Sequence, residues 1–169
     1  MEYTRPEWDT YFIAIAMMAA TRSTCLRRKI GAVITRDLRI VSTGYNGAPS
    51  GTAHCLGAGC MRETLGVPSG ERQEMCRGAH AESNAIAQAA RMGIATDGAA
   101  IYCTHEPCSF CTKVILNAGI VRVVYMREYP DKLAANLREE TGVKFERFPA
   151  DKADAAAKWM WHSYLMFKD

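Results

Sequence analysis

Apolar and polar positions follow two periods along the chain, and together they predict a domain of interleaved helices and strands. Apolar residues at helical spacing predict a first helix over 7–22, which ends in basic residues. The runs 29–35 and 39–45 are rich in β-branched residues and are joined by Arg-Asp-Leu at 36–38. We therefore predict that these two runs form a β-hairpin.

The second half of the chain alternates helical and strand patterns. Gly93, Gly119 and Gly142 follow three of the helical runs, where a C-terminal glycine is common. The predicted helices cover 80–92, 108–118, 131–141 and 151–167, and the predicted strands cover 99–104, 121–126 and 143–148. Five strands interleaved with helices predict a three-layer α/β/α fold with the sheet in the middle.

The insert, residues 51–79, breaks this alternation. It is rich in glycine and has no convincing period, yet it joins a predicted strand to a predicted helix. A loop of this length without its own structure is unusual in a compact domain. We therefore expect an additional interaction to hold the insert in place.

Composition limits the class of protein. With 169 residues, 49% of them apolar and 23% charged, the chain suits a single domain over 1–169. A net charge of +3 suits a phosphorylated ligand but is small for a dedicated nucleic-acid binder. The acidic residues near the N-terminus do not resemble a signal peptide, and the longest apolar run, 13–20, is too short to cross a bilayer. We predict a cytoplasmic protein without membrane or nucleic-acid partners.

The cysteines favour metal binding or catalysis over disulfides. The chain has seven cysteines and no export signal, and an odd count argues against a disulfide framework. Cys103 alternates with apolar neighbours, so we expect it to be buried in a strand.

Four residues near two helix starts form a candidate catalytic metal site. His80 and Glu82 are two apart, so they can act together only at the end of a helix, while Cys108 and Cys111 form a C-x-x-C after a proline. The positive end of a helix favours thiolate ligands. One histidine and two cysteines leave a fourth position for water on Zn²⁺, and Glu82 can shuttle its proton. Alone, His80 would be read as a capping group and the C-x-x-C as a redox or structural zinc motif.

The combined pattern of His-x-Glu and Pro-Cys-x-x-Cys is the signature of zinc nucleobase deaminases. The segments HAESNAI and THEPCSFC resemble the cytidine deaminase-like superfamily, which implies a mixed sheet flanked by helices. Within it, the run 29–51, the cysteine-bearing insert and the sequence CRGAHAE resemble the deoxycytidylate deaminase family, over about 23–129. The resemblance implies zinc-dependent hydrolysis of dCMP to dUMP and ammonia, feeding dTMP synthesis.

The resemblance also implies a substrate-binding set. The backbone at Ala81 and the end of the strand at Thr104 would bind the base, and Asn46 would bind the deoxyribose, although Asn-Gly is also a favoured turn pair. Tyr129 could cover the base or simply pack at a strand end.

Basic residues before the first strand are candidates for phosphate binding. Arg27, Arg28 and Lys29 could contact the 5′-phosphate. A solvated basic face is the alternative.

The tetrad GYNG suggests regulation. It resembles a tetrad in deoxycytidylate deaminases that are hexameric, activated by dCTP and inhibited by dTTP, which implies a homohexamer with an allosteric site. Arg91 matches an interface position of that family, although a solvated charge at a helix end is the alternative. The tetrad is Gly44, Tyr45, Asn46 and Gly47.

The remaining cysteines suggest a second, structural zinc that would hold the insert in place. A closed site of four thiolates stabilises a loop that has no core of its own. His54 could replace one cysteine, and the alternative is that these are unrelated thiols. The predicted ligands are Cys25, Cys55, Cys60 and Cys76.

Two other function classes stay open. Another cytosine or adenine substrate, as a free nucleoside or in tRNA, is compatible with the zinc motif. A non-catalytic zinc module is disfavoured because a structural site would fill the fourth position and would not need Glu82.

Overall fold

The computed structural model describes residues 5–163, with side chains to 160. A single turn of 3-10 helix, Gln73–Met75, lies within the insert. The predicted last helix extended to 167, and its end, 164–167, lies outside the described residues. The other elements are α1 (Trp8–Ala20), β1 (Gly31–Arg36), β2 (Arg39–Tyr45), α2 (Cys55–Ala58), α3 (Met61–Thr64), α4 (Ala81–Arg91), β3 (Ala100–His105), α5 (Ser109–Asn117), β4 (Arg122–Arg127), α6 (Lys132–Glu139), β5 (Lys144–Arg147) and α7 (Ala150–Ser163).

The sheet is five-stranded and mixed, with the order β2-β1-β3-β4-β5. β1 is antiparallel to both of its neighbours, whereas β3, β4 and β5 are parallel to one another. The hairpin turns through Asp37 and Leu38, whose φ angles are 50° and 58°. Two consecutive positive φ angles are typical of a type I′ turn, whose twist matches that of the paired strands. The predicted five-stranded α/β fold is confirmed.

Helices cover both faces of the sheet. The helices α1 and α7 pack together on one face, and α4, α5 and α6 cover the other. Successive residues of β3 alternate between the two cores: Tyr102 contributes to the α1 core, and Ile101 and Cys103 contribute to the α4 core. Cys103 is completely buried, as its alternation pattern predicts. None of the helices within residues 5–163 is long and apolar enough to cross a bilayer.

Two glycines allow helices to approach the sheet closely. A Cβ placed on Gly31 of β1 would lie 2.0 Å from the carbonyl oxygen of Ala16, and one on Gly44 of β2 would lie 2.2 Å from that of Ala81. Only glycine fits such a close backbone contact. Gly44 thereby brings the first turn of α4 against the end of β2.

An ion-pair network ties α1 to the sheet. Arg122 donates to both carboxylate oxygens of Asp9 at 2.8 Å, and the hydroxyl of Tyr102 donates to one of them. The bond from Arg122 lowers the pKa of the Asp9 carboxyl group below its ordinary value. Arg122 also bonds Glu146 of β5, so the network spans one helix and three strands.

The insert has more local structure than its sequence pattern predicts. It contains the short helices α2 and α3 and the 3-10 turn. At its base, Gly47 and Ala79 exchange two backbone hydrogen bonds, of 3.1 and 2.9 Å. The insert is therefore a loop closed at its own stem, next to the start of α4.

Candidate active site

The first turns of α4 and α5 bring three candidate metal-ligand side chains together. His80 occupies the N-cap position of α4 and Cys108 that of α5, both in an extended backbone conformation, and Cys111 lies in the first turn of α5. His80 Nδ1 lies 3.4 Å from Cys108 Sγ and 3.3 Å from Cys111 Sγ. All three ligand atoms lie within 4.8 Å of one another. The three predicted ligands thus converge on one point.

This geometry fits a tetrahedral zinc ion. Zinc bonds of ~2.3 Å to sulfur and ~2.0 Å to nitrogen place the two ligand atoms about 3.5 Å apart. The nitrogen-to-sulfur distances of 3.4 and 3.3 Å are close to that value. Hydrogen bonds from Cys111 and His80 lower the pKa of Cys108, and the bond to Cys108 raises the pKa of His80. Cys108 is therefore the thiol that favours the anionic form, whereas the hydrogen bond between the two thiols raises the pKa of Cys111.

Glu82 lies beside this cluster. It occupies the first turn of α4 and is only 4% exposed. Burial raises the pKa of Glu82, while the charge of His80 opposes that shift. Because His80 lies off the helix end with φ −75° and ψ 157°, a separation of two residues does not place the two side chains on opposite faces of a helix. A buried carboxyl group with a raised pKa suits general acid and base catalysis.

A cavity of about 670 Å³ extends from this cluster to the insert. Its volume is in the range of small-molecule sites. His80, Glu82 and Cys108 line one part of its wall, and residues of the insert line another. The cavity is also lined by five of the residues that the sequence assigns to substrate binding or regulation: Arg27, Arg28, Asn46, Gly47 and Tyr129.

Asn46 lies at the cavity wall with its side chain bonded to the backbone. Its Oδ1 accepts from the amide of Ile30 at 2.8 Å, and its Nδ2 donates to the carbonyl of Arg28 at 2.9 Å. These bonds hold the backbone that leads into β1. The amide keeps one further N–H donor and one lone pair for a ligand.

Tyr129 connects β4 to the insert. Its hydroxyl accepts a hydrogen bond of 3.0 Å from Gln73, and its backbone N–H donates to Glu106 at 2.8 Å. Glu106 is buried and also accepts from Arg138. Tyr129 is therefore held from both sides at the cavity wall.

Sequence reasoning missed two carboxylates close to the C-x-x-C turn. Glu106 lies in the segment THEPCSFC, two residues before Cys108, and that position was the available signal. Asp131 was predicted only as a helix start, yet one of its oxygens accepts from Ser109 at the start of α5 and the other from Ala134 in α6. Asp131 thus joins the two helix ends beside Cys108.

Other predicted residues lie outside this cavity. Thr104 lines a second cavity of about 610 Å³ together with Arg28, Lys29, His105 and Arg127. Thr104 Oγ1 accepts from the backbone N–H of Gly31 at 3.1 Å.

The remaining predicted residues lie in α4 or pack against it. Ala81 is fully buried at the start of α4, and Arg91 is exposed at its end. Gly44 packs on α4, and the carbonyl of Tyr45 accepts from Asn84 of α4 at 2.8 Å. These residues connect β2 to the helix that follows His80.

The four cysteines of the predicted second site all line the large cavity. Cys55 is buried, and its pKa is raised by burial and by the neighbouring thiols of Cys25, Cys76 and Cys60. Within residues 5–163, only the His80 cluster has three or more ligand atoms within 4.8 Å of one another. His54 bonds Thr24 through Nδ1 at 3.4 Å.

The chain matches one protein family model and several known proteins over most of its length. Residues 6–127 match the family described as "Cytidine and deoxycytidylate deaminase zinc-binding region". The chain is 41% identical over 149 residues to ComE operon protein 2 of Bacillus subtilis, covering 88% of this chain and 75% of that one. It is 44% identical over 130 residues to the deoxycytidylate deaminase of Mycobacterium phage D29, covering 74% and 98%.

A solved structure shares the fold. The dCMP deaminase of cyanophage S-TIM5, in complex with dCMP and dUMP, superposes with a TM-score of 0.69 at 28% identity. The match covers 86% of this chain and 100% of that one.

Proposed function

Because the chain belongs to the cytidine and deoxycytidylate deaminase family, we propose that it is a zinc-dependent dCMP deaminase producing dUMP and ammonia. The observation that carries the proposal is the convergence of His80, Cys108 and Cys111 beside a buried Glu82 at the wall of a nucleotide-sized cavity. The product would feed dTMP synthesis. Cytoplasmic location stays a prediction from the sequence.

His80, Cys108 and Cys111 would hold the zinc ion. A histidine and two cysteines leave one position open, which distinguishes catalytic zinc sites from closed structural ones. When bound, the metal supplies a water molecule whose pKa is lowered toward neutrality.

Glu82 moves the protons in this reaction. It accepts a proton from the attacking water and donates it to N3 of the cytosine while C4 becomes tetrahedral. Glu82 then accepts the second proton of that water, from the hydroxyl group now bonded to C4, and donates it to the exocyclic amino group. The C4–N bond breaks, ammonia leaves, and the C4 carbonyl of uracil forms. Burial raises the pKa of Glu82, which makes its carboxylate a better proton acceptor and so supports both roles.

Substrate binding is assigned to residues at the cavity wall. Asn46 would contact the deoxyribose, Tyr129 would cover the base, and Arg27 with Arg28 would attract the phosphate. The backbone of Ala81 would contact the base. The position of Thr104 at a second cavity gives its proposed contact with the base less support.

A second zinc ion is proposed at the insert. The support is that Cys25, Cys55, Cys60 and Cys76 line the same cavity and that the other three thiols contribute to raising the pKa of Cys55. Among residues 5–163, no three of these four sulfur atoms lie within 4.8 Å of one another, so zinc binding would require the insert to move.

Regulation by dCTP and dTTP in a homohexamer is proposed from the tetrad at 44–47. Its support is positional, since Gly44 contacts Ala81 and Gly47 pairs with Ala79, on both sides of His80. A ligand that moved the tetrad would therefore move the start of α4.

Ammonia release from deoxycytidine, dCMP, dCTP and a stem-loop RNA tests the proposal. We expect the highest kcat/KM with dCMP. Preference for deoxycytidine or for the RNA would assign another substrate class, and zinc binding without ammonia from any of them would indicate a non-catalytic module.

A further inference from the structure

A carboxylate and a guanidinium group form an ion pair at the wall of the large cavity. Glu106 lines the cavity and is only 8% exposed, and Arg138 of α6 donates to its Oε1. Arg138 itself lies over the ring of Phe145, with Cζ 5.6 Å from the ring centroid. Two buried charges are costly to desolvate, and an apolar pair of similar volume is often at least as stabilising. Stability alone is therefore a weak reason for charges at this position.

The second carboxylate oxygen of Glu106 holds the loop that follows β4. Glu106 Oε2 accepts a hydrogen bond of 2.8 Å from the backbone N–H of Tyr129. The backbone N–H of Glu106 donates to the carbonyl of Arg127, also at 2.8 Å, so this one residue bonds both ends of the segment 127–129. Because Arg138 binds Oε1, the carboxylate is oriented with Oε2 toward the loop.

The contacts of Glu106 continue through Tyr129 to the insert. The hydroxyl of Tyr129 accepts from Gln73 Nε2 at 3.0 Å, and a Cβ placed on Gly70 would lie 3.1 Å from that hydroxyl oxygen. In the other direction along the chain, Glu106 is two residues before Cys108, a candidate metal ligand. The two hydrogen bonds of Tyr129 therefore connect the turn beside the candidate metal cluster to the part of the cavity wall that the insert forms.

We propose that Glu106 is a positioning residue, oriented by Arg138, which holds Tyr129 and through it the insert at the distance from the candidate metal cluster that dCMP binding requires. This inference rests on the proposed deaminase function and assigns two residues to which the reaction gives no role. Loss of the contact should weaken substrate binding while the metal ligands and Glu82 stay in place. Such a change raises KM and leaves kcat unaltered.

The test replaces both members of the pair in zinc-loaded protein, giving the double variant Glu106→Leu with Arg138→Leu. Removing both charges leaves no unpaired charge in the interior, so the fold should be retained. The backbone N–H of Tyr129 nevertheless loses its acceptor. KM for dCMP should rise about 10-fold, as expected for the loss of a hydrogen bond to a charged group, and kcat should stay within about threefold of wild type.

The matched control makes the same two replacements at a neighbouring ion pair, Glu128→Leu with Arg147→Leu. Glu128 directly precedes Tyr129, and its bond to Arg147 likewise joins this loop to another element, β5. The side chains of this pair are more than half exposed. An exposed pair contributes little, so KM of the control should stay within about twofold of wild type.

Two further measurements show whether Glu106 acts through Tyr129. Amides of residues 70–75 should exchange with deuterium faster in the double variant at 106 and 138 than in wild type, because the insert loses an anchor. Tyr129→Phe removes the bond to Gln73 and should raise KM by itself. Combined with the double variant, it should raise KM by much less than the product of the two separate effects, because both changes break the same series of contacts. Effects that simply multiply would overturn the inference.

A merely structural role of the ion pair predicts a different result. Thermal stability and zinc content would fall in the double variant at 106 and 138, and KM would be unchanged in the protein that stays active. Unchanged KM, or unchanged exchange at 70–75, refutes the positioning role.

Failure of the deaminase proposal would be recognised separately. Wild-type protein that releases no ammonia from dCMP would overturn the proposed function. The exchange comparison needs no substrate, so it would still decide the contact: faster exchange at 70–75 in the double variant supports the anchoring of the insert by Glu106, and equal exchange refutes it.

Discussion

Gly44 and Ala81 are in backbone contact, because a Cβ on Gly44 would lie 2.2 Å from the carbonyl oxygen of Ala81 and 2.5 Å from the amide nitrogen of Ala85. Ala81 directly follows His80, so the end of strand β2 sets the position of a candidate metal ligand. The tetrad at 44–47, which the sequence associates with regulation, therefore also has a packing role.

Gly44→Ala should destabilise the fold because the added methyl group meets helix backbone, which cannot rotate away as a side chain could. We expect a loss of about 1–3 kcal/mol in the free energy of unfolding, together with weaker retention of zinc. Denaturant unfolding and metal analysis measure the two effects. Gly57→Ala is the matched control, since a Cβ there meets nothing within 4 Å. Equal effects of the two substitutions would contradict the contact.

Glu82→Gln should keep the zinc ion but lose turnover. An amide of the same size removes the proton shuttle, so kcat should fall by about 10²–10⁴-fold. Metal content and ammonia release are measured on the same preparation. Glu63→Gln, at an exposed position in the insert, should leave both unchanged. Parallel loss of zinc and activity in Glu82→Gln would argue for a ligand role instead.

Cys60→Ser should lower the zinc content from two ions per chain to one and loosen the insert. Limited trypsin digestion at Arg72 should then become faster than in wild type. Cys103→Ala is the control, because Cys103 is buried in β3 and lies outside both sites, and it should keep both ions. One zinc ion per chain in fully active wild-type protein would rule out the second site.

Saturation with dCMP should be sigmoidal and become hyperbolic when dCTP is added, and dTTP should inhibit. Sedimentation should give a homohexamer, and Arg91→Glu should weaken the assembly if this exposed residue lies at an interface. A monomer in sedimentation, or kinetics indifferent to both nucleotides, would exclude this mode of regulation.

Asp9→Asn should reduce the change in the free energy of unfolding as the pH is lowered through the acidic range. Arg122 lowers the pKa of folded Asp9 below its unfolded value of 3.8, so this carboxylate stabilises the fold above that pH and the contribution is lost as pH falls through the folded pKa. Both side chains are about one-third exposed, and screening limits the effect to about 1 kcal/mol.

The measurement is the difference in unfolding free energy between wild type and Asp9→Asn, which should be largest near neutral pH and shrink below about pH 4. Glu7→Gln is the control, because Glu7 forms a highly exposed pair with Lys152 and should change little. A difference that stays constant with pH would refute the linkage.

Local patterns were sufficient to predict most of the architecture and the metal cluster. His80, Cys108 and Cys111 follow from short motifs, because each lies at the start of a helix and helix starts have recognisable sequence patterns. The turn at Asp37 and Leu38 was harder, since leucine rarely adopts a positive φ and its conformation is set by the paired strands.

Long-range contacts explain what the sequence could not predict. Glu106 is 32 residues from Arg138, and Asp131 is 22 residues from Ser109, so neither pairing has a periodic signature. The insert lacks a hydrophobic period because its position depends on single contacts, such as that between Gln73 and Tyr129. The residues that the insert contributes to the cavity wall are therefore identified only from the folded structure.

The paired residues Gly47 and Ala79 at the base of the insert allow it to unfold separately from the rest of the domain. Because both ends are pinned to each other, opening the loop breaks only the contacts of the insert and leaves β2 and α4 in place. Its amides should therefore exchange with deuterium through openings that cost less free energy than unfolding of the sheet. An ion held by the insert cysteines would suppress those openings by mass action, so cellular zinc supply would set how often this wall of the cavity is closed.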